Sequence, residues 1–159
     1  MDTQNLETCK YIELNGVKLC CFTNGNIYKI KYNGDMKHIK GNKLPTGYIQ
    51  AHINYKQYYI HRIIGFAFLG LDIEDTKIQI DHINRIRDDN RVDNLRIVSH
   101  QQNNWNKDNK GYYFHKKSNK WSVSIRIPNN IRKFIGLFEN EIDAQNTYLE
   151  AKAKYHIIN

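Results

Sequence analysis

Between residues 11 and 60 the apolar residues arrive in strand-length bursts cut by turn signals, and at His61 that rhythm stops. Cys21-Phe22-Thr23 runs into Asn24-Gly25-Asn26, then Ile27 to Tyr32, then Asn33-Gly34. Asn-Gly pairs favour two-residue hairpin turns, because both residues tolerate positive φ. Pro45-Thr46-Gly47 marks another turn, and Tyr48–Asn54 with Gln57–Ile60 reads as a hairpin around Tyr55-Lys56. From His61 onward, Ile63, Ile64, Ala67 and Phe68 fall at helical spacing, and Gly70 stops the helix. The longest apolar run, Ile63 to Leu71, is too short to cross a bilayer. Segments this short build small antiparallel sheets with helices packed on them, an α+β chain.

The same reading continues downstream. Ile78-Gln79-Ile80 is a short strand ending in Asp81-His82, Arg85 to Asp93 a charged loop, and Leu95 to Val98 a second strand. Ser99 and Gln102 stand in the capping-box relation that opens a helix. Strand, loop, strand, helix is a ββα unit. The Asn/Lys-rich stretch 104–110 reads as a linker, followed by strands at 112–115, 121–127 and 133–138. Asn140 can cap a final helix that lines up Ala144, Tyr148, Ala151 and Tyr155 on one side.

Charge narrows the partner. The chain of 159 residues carries a formal net charge of +8, and from Asn109 to Phe138 it has no acidic residue. A basic stretch of that kind points to a polyanion. Cys9, Cys20 and Cys21 form no C-x-x-C pair, so they read as reduced thiols and not as a zinc knuckle or disulfide framework. The first seven residues are polar and unlike a signal or transit peptide. The expectation is an intracellular protein of the cytoplasm, nucleus or viral factory, not secreted and not membrane-bound.

Asp81-His82 carries the chemistry. A hard divalent cation takes oxygen ligands, keeps several waters, and needs only one or two protein groups. Asp81 offers a carboxylate, and an asparagine on the following helix offers a carbonyl oxygen. His82, next along the strand, points to the other side and is suited to general-base work near neutral pH. A lone Asp-His pair at a strand end is ordinarily a turn with a surface histidine. The joint spacing with Asn94, Asn103 and the Leu95-Arg96 strand is what lifts it.

Asp81-His82-Ile83-Asn84-Arg85, Asp89-Asn90-Arg91, Asp93-Asn94-Leu95-Arg96 and Gln102-Asn103-Asn104 resemble the HNH (ββα-metal) endonucleases, and most closely their phage and giant-virus homing-endonuclease-like branch. The upstream run from His61-Arg62 to Phe68 is similar to the helix that precedes the motif there. The resemblance implies His82 as general base, Asp81 and Asn103 as ligands to one Mg²⁺ or Mn²⁺ ion, and Asn94 as a brace for the loop that orients the imidazole. Asn104 and Asn106 stand near enough to Asn103 to leave the second ligand open by a position. Arg62, Arg85, Arg87 and Arg96 are expected at DNA, with internal salt bridges the alternative for Arg62 and Arg96.

Lys110 to His115, Lys120 to Arg126, Ile135 to Phe138 and Asp143 to Tyr148 resemble the plant apetala-two DNA-binding domain, whose three-stranded sheet enters the major groove. Pleat alternation puts Trp121, Val123, Ile125 and Ile127 on the core side. Lys120, Ser122, Ser124 and Arg126 share the other, with Lys116, Ser118, Arg132 and Phe134 beside them. Serines where that domain carries larger readers favour phosphate contact.

Three modules follow: 1–60, 61–107 and 108–159. The first resembles, more weakly, small β modules that precede HNH cores, completing their packing or adding contacts. Duplex DNA is the expected partner, with no organic cofactor, for a monomer or weak homodimer. A non-catalytic DNA-binding relic is the rival reading, and an RNA-directed or structure-selective nuclease the second.

Overall fold

A computed structural model of the protein describes residues 8–158. Residues 1–7, whose polarity was set against a targeting peptide above, lie outside the described residues. The chain divides into two compact units, Met1–Ser99 and His100–Asn159.

In the first unit β1 (Cys9–Leu14), β2 (Val17–Phe22), β3 (Ile27–Ile30) and β4 (Met36–His38) form a four-stranded antiparallel meander. A three-stranded sheet follows from β5 (Asn42–Lys43), β6 (Ile49–Ile53) and β7 (Lys56–Tyr59). Helix α1 (Ile60–Leu69) comes next and ends at Gly70 in the left-handed conformation, as its sequence predicts. The unit closes with the hairpin of β8 (Gln79–His82) and β9 (Leu95–Val98). Leu19, Cys21, Ile27, Ala51, Ile53, Ile63, Ile64, Ile80 and Leu95 belong to one buried cluster. The strands before residue 60 therefore share an interior with the helix and hairpin after it. The three cysteines are free thiols. Burial pushes the Cys21 thiol up to about 12, which leaves it inert.

Three turn expectations shift, the first at Asn33-Gly34, where only the glycine has positive φ and Lys31 N–H donates to Asp35 O across a longer loop. The two-residue turns with positive φ at both positions are Asn15-Gly16 and Asn54-Tyr55. The second hairpin thus turns one residue earlier than its sequence suggested. At Asn24-Gly25 only the glycine has positive φ, and Phe22 N–H bonds to Asn26 O across a longer loop. The reason lies in a neighbour. A Cβ on Gly25 would sit 2.8 Å from the backbone C and O of Asn90, in the charged loop between β8 and β9. Val92 N–H donates to Thr23 O beside it. Gly25→Ala should cost at least about 1–3 kcal/mol through overpacking and positive φ. Urea unfolding midpoints would read the loss, and an unchanged midpoint would show that the loop does not rest there.

The second unit starts with α2 (His100–Asn106) directly after Ser99. The stretch read as a linker thus begins inside this helix, where Trp105 is buried and stacks on His156 at 4.7 Å. Strands β10 (Tyr112–His115), β11 (Lys120–Ile127) and β12 (Ile131–Phe138) form an antiparallel sheet, and α3 (Glu141–Tyr155) covers one side. Asn140 Oδ1 accepts from Asp143 N–H at 2.9 Å, the cap its position predicts. Ala144, Tyr148 and Ala151 are buried against Val123 and Ile125.

Candidate active site

The hairpin of β8 and β9 carries the chemistry-bearing pair. Antiparallel register sets Asp81 opposite Arg96 and His82 opposite Leu95. Successive side chains leave opposite faces of a strand. On one face Ile80 reaches α1, where its Cδ1 would lie 2.8 Å from a Cβ on Gly65, so glycine lets the strand and helix approach closely. His82 shares that face. Its ring centroid is 5.2 Å from that of His61 and 5.8 Å from that of Tyr48. On the other face Asp81 Oδ2 accepts from Arg96 Nε at 2.9 Å and Nη2 at 2.8 Å.

His82 is buried, and burial lowers its pKa against the smaller upward pull of its bond to Asn90 and of Asp81 and Asp89. The imidazole is therefore neutral at neutral pH. Its tautomer follows from Asn90. The amide Nδ2 of Asn90 donates to Asp88 O at 3.2 Å, which turns Oδ1 toward His82 Nε2 at 3.3 Å. An amide oxygen only accepts, so Nε2 carries the proton and Nδ1 is the basic nitrogen. His61 is held down to about 3 by burial, with His82 and Arg62 adding to the effect, so a second neutral imidazole lies beside the first.

The loop that supplies Asn90 is tied at both ends by Asn94. Asn94 Oδ1 accepts from Asn84 N–H at 2.9 Å, and its Nδ2 donates to Asp89 O at 2.7 Å. Ile83 N–H donates to Asn94 O. Asp89 is clamped in turn by Arg91 Nε and Nη2, both at 2.8 Å, and by Asn84 Nδ2 at 2.7 Å. Those bonds hold its carboxyl down to about 2. The sequence predicts no role for Asn90. Its signal was the Asp-Asn-Arg run, and its partner lies eight positions away across a loop.

Several expected DNA contacts are engaged elsewhere. Arg62 donates to the carbonyls of Ile78, Ile73, Asp75 and Asp72, stapling the connection after α1. Arg96 is bound to Asp81, the internal salt bridge held open as its alternative. Arg87 donates to Thr46 O, with its guanidinium 5.0 Å from the Tyr48 ring centre. Arg85 sits in the loop with φ 65°.

In the second unit Ser122 is buried between its cross-strand neighbours Tyr113 and Leu137, which corrects its expected exposure to DNA. Ser124 Oγ accepts from Arg132 Nε at 3.2 Å, so it positions that fork. Lys120 pairs with Glu139 at 2.7 Å, an acid one residue beyond the acid-free stretch. Ser118 bonds His115 in the turn that also carries exposed Lys116. Arg126 is exposed and donates to Asn130 Oδ1 at 2.8 Å.

For a metal, no group of three or more His, Cys, Asp or Glu side chains is arranged to hold an ion among the described residues. An Mg²⁺-like ion needs no such group, because it takes one or two protein oxygens and fills its shell with water and phosphate. Asp81, on the hairpin, is the carboxylate expected in that role. Asn103 is on α2, in the second unit.

Residues 58–105 match the family model for HNH endonucleases. A solved structure of the HNH homing endonuclease I-HmuI, described for DNA binding and cleavage, is similar over 79% of this chain and 77% of that one. The identity is 22% and the TM-score 0.49, too distant to carry an argument. No curated protein matches the chain. The segment that holds the Asp81-His82 hairpin is an HNH endonuclease domain, and the protein is an enzyme.

Proposed function

We propose that the protein hydrolyses phosphodiester bonds of duplex DNA with a divalent cation, nicking one strand per visit. The observation that carries this reading is a buried, neutral imidazole at His82, its proton directed to Asn90 by a loop that Asn94 ties at both ends. His82 Nδ1 takes a proton from water as the water oxygen attacks phosphorus. The P–O bond to the leaving sugar oxygen breaks, and that oxygen picks up a proton from solvent. Asp81 and Asn103 would hold the Mg²⁺ or Mn²⁺ ion, which when bound neutralises charge on the phosphate and the leaving oxygen. Keeping the imidazole neutral and its tautomer fixed is the work of this chain's own residues. It spares the reaction a reorientation step.

A chain with one such hairpin has one hydrolytic centre, so a monomer converts supercoiled plasmid to the nicked form before any linear product. Incubation with Mg²⁺ or Mn²⁺ should give that order, and chelation should stop it. Tight duplex binding with no cutting under either cation would instead establish a non-catalytic DNA-binding protein.

A further inference from the structure

The sheet of β10, β11 and β12 has one face turned from α3, and its contents are unusual for a polar surface. Cross-strand partners share a face, so Ser122, Ser124 and Arg126 bring with them Tyr113, Leu137, Phe134 and Arg132. Tyr113 is 48% exposed, Leu137 46% and Phe134 61%. The register explains Phe134. Val123 pairs with Gly136 but Ser124 pairs with Phe134, so Ile135 is an extra residue in β12. Without that bulge, alternation from Leu137 would turn Ile135 outward and Phe134 toward α3. With it, Ile135 packs on the core and Phe134 stands in solvent. Bulges re-aim side chains in this way.

The result is three large apolar groups on a surface that carries Arg126 and Arg132 at one end and the Lys120–Glu139 pair at the other, a net positive charge. A purely aliphatic partner would leave those guanidinium groups without a counter-charge. The major groove of duplex DNA answers both halves, because its rims are phosphates and its floor carries the C5-methyl groups of thymine. We propose that Phe134, Leu137 and Tyr113 read thymine methyl groups in the major groove, while Arg126 and Arg132 hold the flanking backbone. This rests on the reading of duplex DNA as substrate and adds a sequence preference to it. Serines on this face leave few side chains for bidentate base contacts, so methyl contact is the term that separates A·T from G·C here.

The test replaces thymine by uracil, which removes the methyl and keeps every hydrogen bond. A duplex selected by the full-length protein from a randomised pool is bound in both forms. The thymine form should bind more tightly, by roughly fourfold for each methyl covered. Phe134→Ala and Leu137→Ala should each bind the two forms alike. Equal binding of the two forms by the wild type would overturn the proposal, as would discrimination that survives in both variants. Tighter binding to single strands than to the duplex, lost in Phe134→Ala, would make the face a base-stacking platform and overturn it too. Plasmid nicking without thymine preference sinks this proposal alone, whereas absence of nicking sinks the nuclease reading.

Discussion

His82→Ala should slow plasmid nicking by about 10²–10⁴-fold while leaving duplex binding within a factor of two or three. That range is what a positioned general base contributes. The ring contacts His61, Tyr48 and Asn90, so its loss also opens a small space in the first unit. His82→Gln fills more of that space and cannot act as a base, so it should be equally slow at a nearly native unfolding midpoint. A native rate in either variant would remove His82 from the chemistry. The pH profile gives an independent reading. Cutting needs the neutral ring, and burial lowers its pKa, so the acid limb of the rate should fall below the ordinary imidazole value of about 6.5. Stability follows the same sign. His61 is neutral in the folded state down to about 3, while the unfolded chain takes up its proton near 6.5. The unfolded state then binds more protons in that window, and the first unit should lose stability as pH falls through it.

Much of this site was legible because its carriers are local. The change of period at His61, the Asp81-His82 strand end and the Leu95-Arg96 strand each show within a few residues, as does the Asn140 cap. What escaped the sequence depends on partners far along the chain. Arg62 reads as a phosphate contact or an ion-pair partner, and neither reading shows the carbonyls of residues 72–78 that it bonds. Asn24-Gly25 reads as a tight turn until the Asn90 backbone presses on the glycine. Ser122 alternates correctly with the core residues, yet its two cross-strand neighbours are large enough to bury it. The bulge at Ile135 changes which residues face outward, and Gly136 beside it is the one local mark it leaves. Pattern gives the elements, and the packing between them decides which polar groups remain available.

Asp81→Ala should both end cation-supported cutting and destabilise the first unit, and the two losses have separate causes. The carboxylate is buried, and both Arg96 donors converge on its Oδ2. Removing one partner of such a pair strands the other, at a cost of about 3–5 kcal/mol. Failure of the alanine variant to cut would therefore not separate a lost ligand from a lost fold. Asp81→Asn does separate them. Its amide oxygen still accepts from Arg96, so the unfolding midpoint should fall less, while the charge that attracts a hard cation is gone. Cation catalysis is worth several kcal/mol at the phosphate, so cutting should drop at least about a hundredfold. Arg96→Met tests the pair from its other end. The carboxylate loses its counter-charge and the midpoint falls, but Asp81 keeps its negative charge for a cation. Mn²⁺ should then raise the melting temperature of Arg96→Met by more than that of the wild type, because the ion replaces the guanidinium. Equal shifts in the two proteins, or wild-type cutting by Asp81→Asn, would mean that Asp81 serves Arg96 alone and that the ion binds elsewhere.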